Sequence, residues 1–230
     1  MDLTIPEAVL LLALDDERGS PLVDDSTLGL TLAGAAAAQL LLDGRMRVAG
    51  EGEPGARAGR LVPAGGATDP RLEPLVDVVA GSTPKQALTR IAGWGGSSAP
   101  TTKVRARLLD DFAAAGVLVR DEDRFLGLRW RERWERGARR DVEDALQARA
   151  REVLAGADDP VVGAALAILH GADALPKVFP DLPKGDVVAR GTALATGSWA
   201  SEEVRRAIES VQVAMTAALM VPIITSSSGS

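Results

Sequence analysis

Proline stands at the head of four apolar segments of this sequence, at Pro6, Pro70, Pro84 and Pro160. Its ring fixes φ and removes the N–H, which an α-helix accepts readily only in its first turn. Asp69, Thr83 and Asp159 directly precede three of these prolines, and such side chains accept hydrogen bonds from the free N–H groups of a first turn. Thr83-Pro84-Lys85-Gln86 has the form of a capping box. Gly44 and Gly116 close two further apolar segments, as helix-ending glycines do. This punctuation dictates a mainly α chain.

Apolar periodicity places the elements. Helices are expected at 7–14, 26–43, 103–115, 141–154, 161–170, 186–196 and 202–219, with a further start at Asp69-Pro70 and another at the capping box. In the second helix Leu28, Leu32, Ala35, Gln39 and Leu42 recur at helical spacing, and the small run 35–38 lets a neighbour approach closely. Residues 45–48 and 60–62 alternate like two short strands around the loop 50–55. A short hairpin is expected from 117–119 and 124–126, with Asp121, Glu122 and Asp123 at its turn. The reading is a mainly α fold, a single helical domain over 5–220 with short β-hairpins and a disordered serine-rich tail at 225–230.

Composition removes whole classes of chemistry. The 230 residues contain no cysteine, so disulfides, thiolate nucleophiles and cysteine-ligated metals are excluded. One histidine, His170, cannot build a multi-histidine metal site, and any catalytic triad would have to run through it. It follows an apolar run at a helix end and is expected to be a hydrogen-bonded structural residue, with a general base as the alternative. The acids Asp15, Asp16, Glu17, Asp24 and Asp25 match no calcium-loop spacing and read as solvated turn residues. Gly93-Trp94-Gly95-Gly96 lacks the Lys-Ser/Thr of a phosphate loop. No enzyme, cofactor or metal is expected.

A net charge of −6 argues against a sequence-independent nucleic-acid binder. A helix followed by a hairpin resembles a winged DNA-binding element, but Asp110, Asp111 and the hairpin acids would repel DNA, so no nucleic-acid partner is expected. The first four residues lack the basic region of a secretory leader. The apolar stretch 213–224 falls short of the about 20 residues that span a bilayer. A cytoplasmic protein is expected.

Positive charge is nevertheless concentrated locally. Residues 129–140 hold six arginines against two glutamates, with Trp130 and Trp134 four apart and on one face if the segment is helical. Arginine forks suit phosphate oxygens and tryptophan suits a headgroup interface. The plainer reading packs both tryptophans in the core and leaves the arginines as a solvated face. Lys103, Arg105 and Arg107 add a second basic run at the start of the helix ahead of the hairpin.

The segment 8–19, a leucine-rich helix ending in Asp15-Asp16-Glu17-Arg18-Gly19, resembles the opening of the Golgi phosphoprotein 3 family. Leu32-Ala33-Gly34 through Asp43-Gly44-Arg45-Met46, Val104–Leu108 with Gly116-Val117-Leu118, Phe125-Leu126, and Ala167–Leu175 with His170 are similar to later family segments in order and spacing. The resemblance implies a helical domain seated on the cytosolic face of a membrane. It implies a basic pocket for phosphatidylinositol 4-phosphate or another anionic lipid, beside a hairpin that inserts apolar residues. Some family members also bind cytosolic tails of membrane enzymes, which makes such tails the expected protein partners. Carried onto this chain, the lipid-phosphate residues are Arg105 with Lys103 and Arg107, and the insertion residues are Phe125, Leu126 and Leu128. Ungapped alignment puts Asp24 at the family's pocket tryptophan, and Ala33 and Thr102 at two of its arginines; only Arg105 keeps its type. An adaptor on the same scaffold, without specific lipid binding, is the alternative.

Overall fold

Helix α1 (Ile5–Leu12) starts at a capping box between Thr4 and Glu7, carries Pro6 in its first turn, and is buried at every residue. A helix apolar on all sides belongs at the centre of a fold. The computed structural model describes residues 2–15, 18–93, 98–125 and 128–196, and at 122–125 and 128–132 it describes the backbone alone. Helix α2 (Asp25–Leu42) is capped by Asp24 and packs on α1. Its Gln39 is a buried polar residue within the apolar stripe: Oε1 accepts from the Ile5 N–H at 2.8 Å, and Nε2 donates to Asp43 at 2.7 Å. The first of these bonds occupies one of the free N–H groups at the start of α1. By length and composition α2 could cross a membrane, but 61% of it is buried, with Leu28, Leu32, Ala33 and Ala35 committed to the core.

Gly44, at φ +61, ends α2 and leads into β1 (Met46–Val48), which pairs antiparallel with β2 (Leu61–Pro63). Helices α3 (Glu73–Val79), α4 (Pro84–Ala92) and α5 (Pro100–Ala114) follow, and α4 and α5 both pack on α2. The capping box of Thr83 and Gln86 forms as expected. Strands β3 (Leu118–Phe125) and β4 (Leu128–Arg136) make an antiparallel hairpin. Helices α6 (Arg140–Ala155), α7 (Pro160–Gly171), α8 (Leu175–Val178) and α9 (Lys184–Ala195) complete the described chain. Helix α7, buried from Val162 to Leu169, packs against α1, α2, α6 and α9, and Asp159 caps it. The mainly α class and the two small antiparallel pairs match the expectation.

Three local expectations change. The hairpin is longer than its turn-rich acids imply. Asp121, Glu122 and Asp123 lie inside β3, where the register sets Asp121 opposite Arg133 and Asp123 opposite Arg131. Opposite charges across an antiparallel pair favour a strand that either sequence alone disfavours. Consequently the segment with Trp130 and Trp134 is strand rather than helix. The third change is at Asp69-Pro70, which forms a turn, while α3 begins at Glu73. Asp69 Oδ1 accepts the Arg71 backbone N–H at 2.8 Å, and both carboxylate oxygens also accept from the Arg71 guanidinium, so the side chain closes a local turn instead of opening a helix. The expected helix 202–219 and the tail 225–230 lie outside the described residues.

The base of the hairpin is tied to the turn after α1. The Asp15 backbone N–H donates to Ser20, Gly19 returns a bond to Asp15, and the Trp134 N–H donates to the Gly19 carbonyl at 2.8 Å. A Cβ on Gly19 would stand 3.0 Å from the Trp134 backbone nitrogen and oxygen, and Gly19 has φ +61. Only glycine meets both demands without strain. The Trp134 side chain is buried, with the Arg120 guanidinium 5.6 Å from its ring centroid.

Candidate functional site

Helix α5 buries Thr101, Val104, Leu108 and Phe112, which fixes where its cations can point. Lys103 and Arg107, four residues apart, project from one flank; both are exposed, and neither has an ion pair among the described residues. They line a cleft of about 250 Å³ against α3, whose Pro74, Leu75 and Val78 form an apolar wall. Arg71 also lines this cleft, but its guanidinium is spoken for. It donates to Glu7 at 2.7 Å, to Asp111 at 2.9 Å, and to Asp69. Glu7 is buried and fully satisfied, since its other carboxylate oxygen accepts from the Thr4 N–H and hydroxyl at 2.8 and 2.9 Å.

Arg105 points elsewhere. It donates to Asp25 on α2 at 2.9 Å. Next to that pair, Asp24 caps α2 and is held well below the usual carboxylate range, first by the Ser26 hydroxyl and then by the Thr27 hydroxyl and N–H. The structure therefore brings Lys103 and Arg107 together and leaves Arg105 on another face. Ala33 is fully buried and Thr102 exposed. Among the insertion candidates, Phe125 and Leu128 form the last register pair of the hairpin, and Leu126 lies outside the described residues. Of the basic run 129–140, Arg136 is paired with Glu143 and Asp144, and Arg139 with Asp141.

The cleft residues Arg71, Pro74, Leu75 and Val78 carried no signal in the sequence, because α3 meets α5 only in the fold. His170 is half-buried at the end of α7. Its Nε2 lies 3.2 Å from the Thr192 hydroxyl, which itself donates to the Val188 carbonyl at 3.0 Å. The imidazole packs against Gly191, where a Cβ would sit 2.6 Å from Cγ. Burial lowers the His170 pKa, and Asp173 acts weakly in the opposite direction. Among the described residues no three His, Asp or Glu side chains group as metal ligands.

These features define a mainly α domain with a tethered hairpin and a basic flank on the helix before it. The sequence profile of the Golgi phosphoprotein 3 (GPP34) family matches residues 5–211, and the chain belongs to that family of membrane-associated proteins. A search of curated proteins finds no match.

Proposed function

We propose that this chain is a peripheral membrane protein that binds anionic lipid through the cations of α5, and that it acts by binding rather than by catalysis. The observation that carries this reading is the pair Lys103 and Arg107, exposed and without carboxylate partners among the described residues, in a chain of net charge −6. Each basic residue near an anionic leaflet contributes about 1 kcal/mol, so the pair supplies about 2 kcal/mol and the hairpin must add to it. Phe125 and Leu128, opposite each other in the hairpin register, are the residues this reading assigns to insertion together with Leu126. Family membership supports the membrane setting. A phosphoinositide such as phosphatidylinositol 4-phosphate is the finer proposal for the ligand, and the cytosolic face of a membrane for the location.

Co-sedimentation with vesicles tests this. Binding is expected with anionic vesicles, to weaken as salt rises, and to be lost on neutral ones. A protein that stays in solution with every anionic lipid at low salt refutes the reading. A second reading, an adaptor without specific lipid binding, draws on the Arg105–Asp25 ion pair and on Asp24 and Ala33 at family pocket positions. It expects a protein partner whose capture survives neutralisation of all three α5 cations.

A further inference from the structure

The cations of α5 serve two faces that differ in their surplus charge. On the α2 side, Arg105 meets Asp25 at 2.9 Å with Asp24 beside it, so two carboxylates stand against one guanidinium. An incoming phosphate would have to displace Asp25 and approach Asp24, whose charge is fixed by the hydrogen bonds that cap the helix. On the α3 side the balance is different. Lys103 and Arg107 sit one turn apart, where like charges repel. Asp111, one turn beyond Arg107, is the natural partner for it, but its carboxylate is turned to Arg71 at 2.9 Å. Arg71 thus removes the carboxylate that would otherwise neutralise Arg107, while Glu7 and Asp69 hold Arg71 in place.

The shape of this cleft narrows the ligand. A pocket for a drug-sized molecule measures roughly 300–1,000 Å³. At about 250 Å³ the α3–α5 cleft is closer in size to a headgroup than to a whole lipid. Arg107 can offer a two-pronged donor to phosphate oxygens and Lys103 a point charge. The wall of Pro74, Leu75 and Val78 offers apolar contact to the carbon skeleton that bears the phosphate.

We propose that the cleft between α3 and α5 holds the phosphate-ester headgroup of a membrane lipid on Lys103 and Arg107, and that it replaces the α2–α5 position marked by Arg105. This assignment rests on the lipid-binding reading above. A soluble phosphate ester shares the charge, but an exposed pair beside an apolar wall suits a ligand presented at a lipid surface.

The experiment uses the full chain with phosphatidylcholine vesicles containing phosphatidylglycerol or phosphatidylinositol 4-phosphate, and compares Lys103→Gln, Arg107→Gln and Arg105→Gln. Each removes one charge from an exposed or half-exposed position, and thermal unfolding confirms that each variant folds. Lys103→Gln and Arg107→Gln are expected to weaken vesicle binding about fivefold each, and Arg105→Gln less than about twofold. Equal losses at all three positions, or a loss confined to Arg105→Gln, overturn the cleft assignment while membrane binding stands. Absence of wild-type binding to any anionic vesicle overturns both readings. Saturable binding of soluble glycerol phosphate without vesicle binding overturns the lipid as source.

Discussion

Gly19→Ala tests whether the hairpin is held by the turn after α1. Gly19 has φ +61, where an alanine costs about 1–2 kcal/mol. A Cβ there would also press on the Trp134 backbone at 3.0 Å, and backbone cannot give way as a flexible side chain can. Relief requires lengthening the 2.8 Å bond from the Trp134 N–H to the Gly19 carbonyl, worth about 0.5–1.5 kcal/mol. The total is about 1.5–3.5 kcal/mol. For a domain near 200 residues this lowers Tm by about 3–14 °C. Gly44→Ala is the internal control, because Gly44 has the same φ of +61 and an added methyl there would meet nothing within 4 Å. It carries the backbone term alone. Circular dichroism melts of both variants, with limited proteolysis of the hairpin, separate the two contributions. Equal losses of Tm in the two variants would show that the Gly19–Trp134 contact holds nothing together.

Arg71→Met removes the partner of buried Glu7 and is expected to cost about 3–5 kcal/mol in urea unfolding; a loss below about 1 kcal/mol contradicts the central role given to that pair. For His170, burial lowers the folded pKa below its ordinary 6.5, so the unfolded chain takes up the proton first. Stability contributed by the neutral ring is therefore present above about pH 6.5 and falls as pH drops below it, and His170→Gln should flatten the slope of ΔG between about pH 7.5 and 5.5. An unchanged slope in that variant refutes the assignment. Asp25→Asn frees Arg105 from its carboxylate and removes one negative charge from the α2 side. Binding to anionic vesicles should change less than about twofold, as for Arg105→Gln, and a fivefold rise would show that the α2 face meets the membrane and would count against the α3–α5 cleft.

The helices were legible because their signals are local. Thr83 with Gln86, Asp159 before Pro160, and Gly44 and Gly116 at helix ends each act within a few residues, whatever the rest of the fold does. The exceptions occur where a distant partner decides. Asp121 and Asp123 look like turn residues until the register places Arg133 and Arg131 across from them, while Glu122 faces Glu132. Asp69 looks like the cap of a helix, but it bonds both the N–H and the guanidinium of Arg71, which Glu7 and Asp111 anchor from other helices, and so it closes a turn. Gln39 counts as one more member of an apolar stripe until the end of α1 needs an acceptor.

The basic run on α5 divides between two faces, and helix geometry alone accounts for the division. Written as a sequence, Lys103, Arg105 and Arg107 form one stripe. At about 100° per residue, Lys103 and Arg107 lie about 40° apart, whereas Arg105 is about 160° from either. Alternate residues gather on one face of a strand but are thrown to opposite flanks of a helix. Three cations on α5 therefore could not share one pocket, and the family position at Arg105 had to be judged by its own surroundings. Those surroundings are Asp24 and Asp25, two adjacent acids at the start of α2. The other flank meets α3, which offers proline, leucine and valine, and the turn before it, whose Arg71 binds carboxylates rather than supplying one. Which face of α5 can hold an anion is thus decided less by where the cations are than by where the neighbouring carboxylates are already engaged.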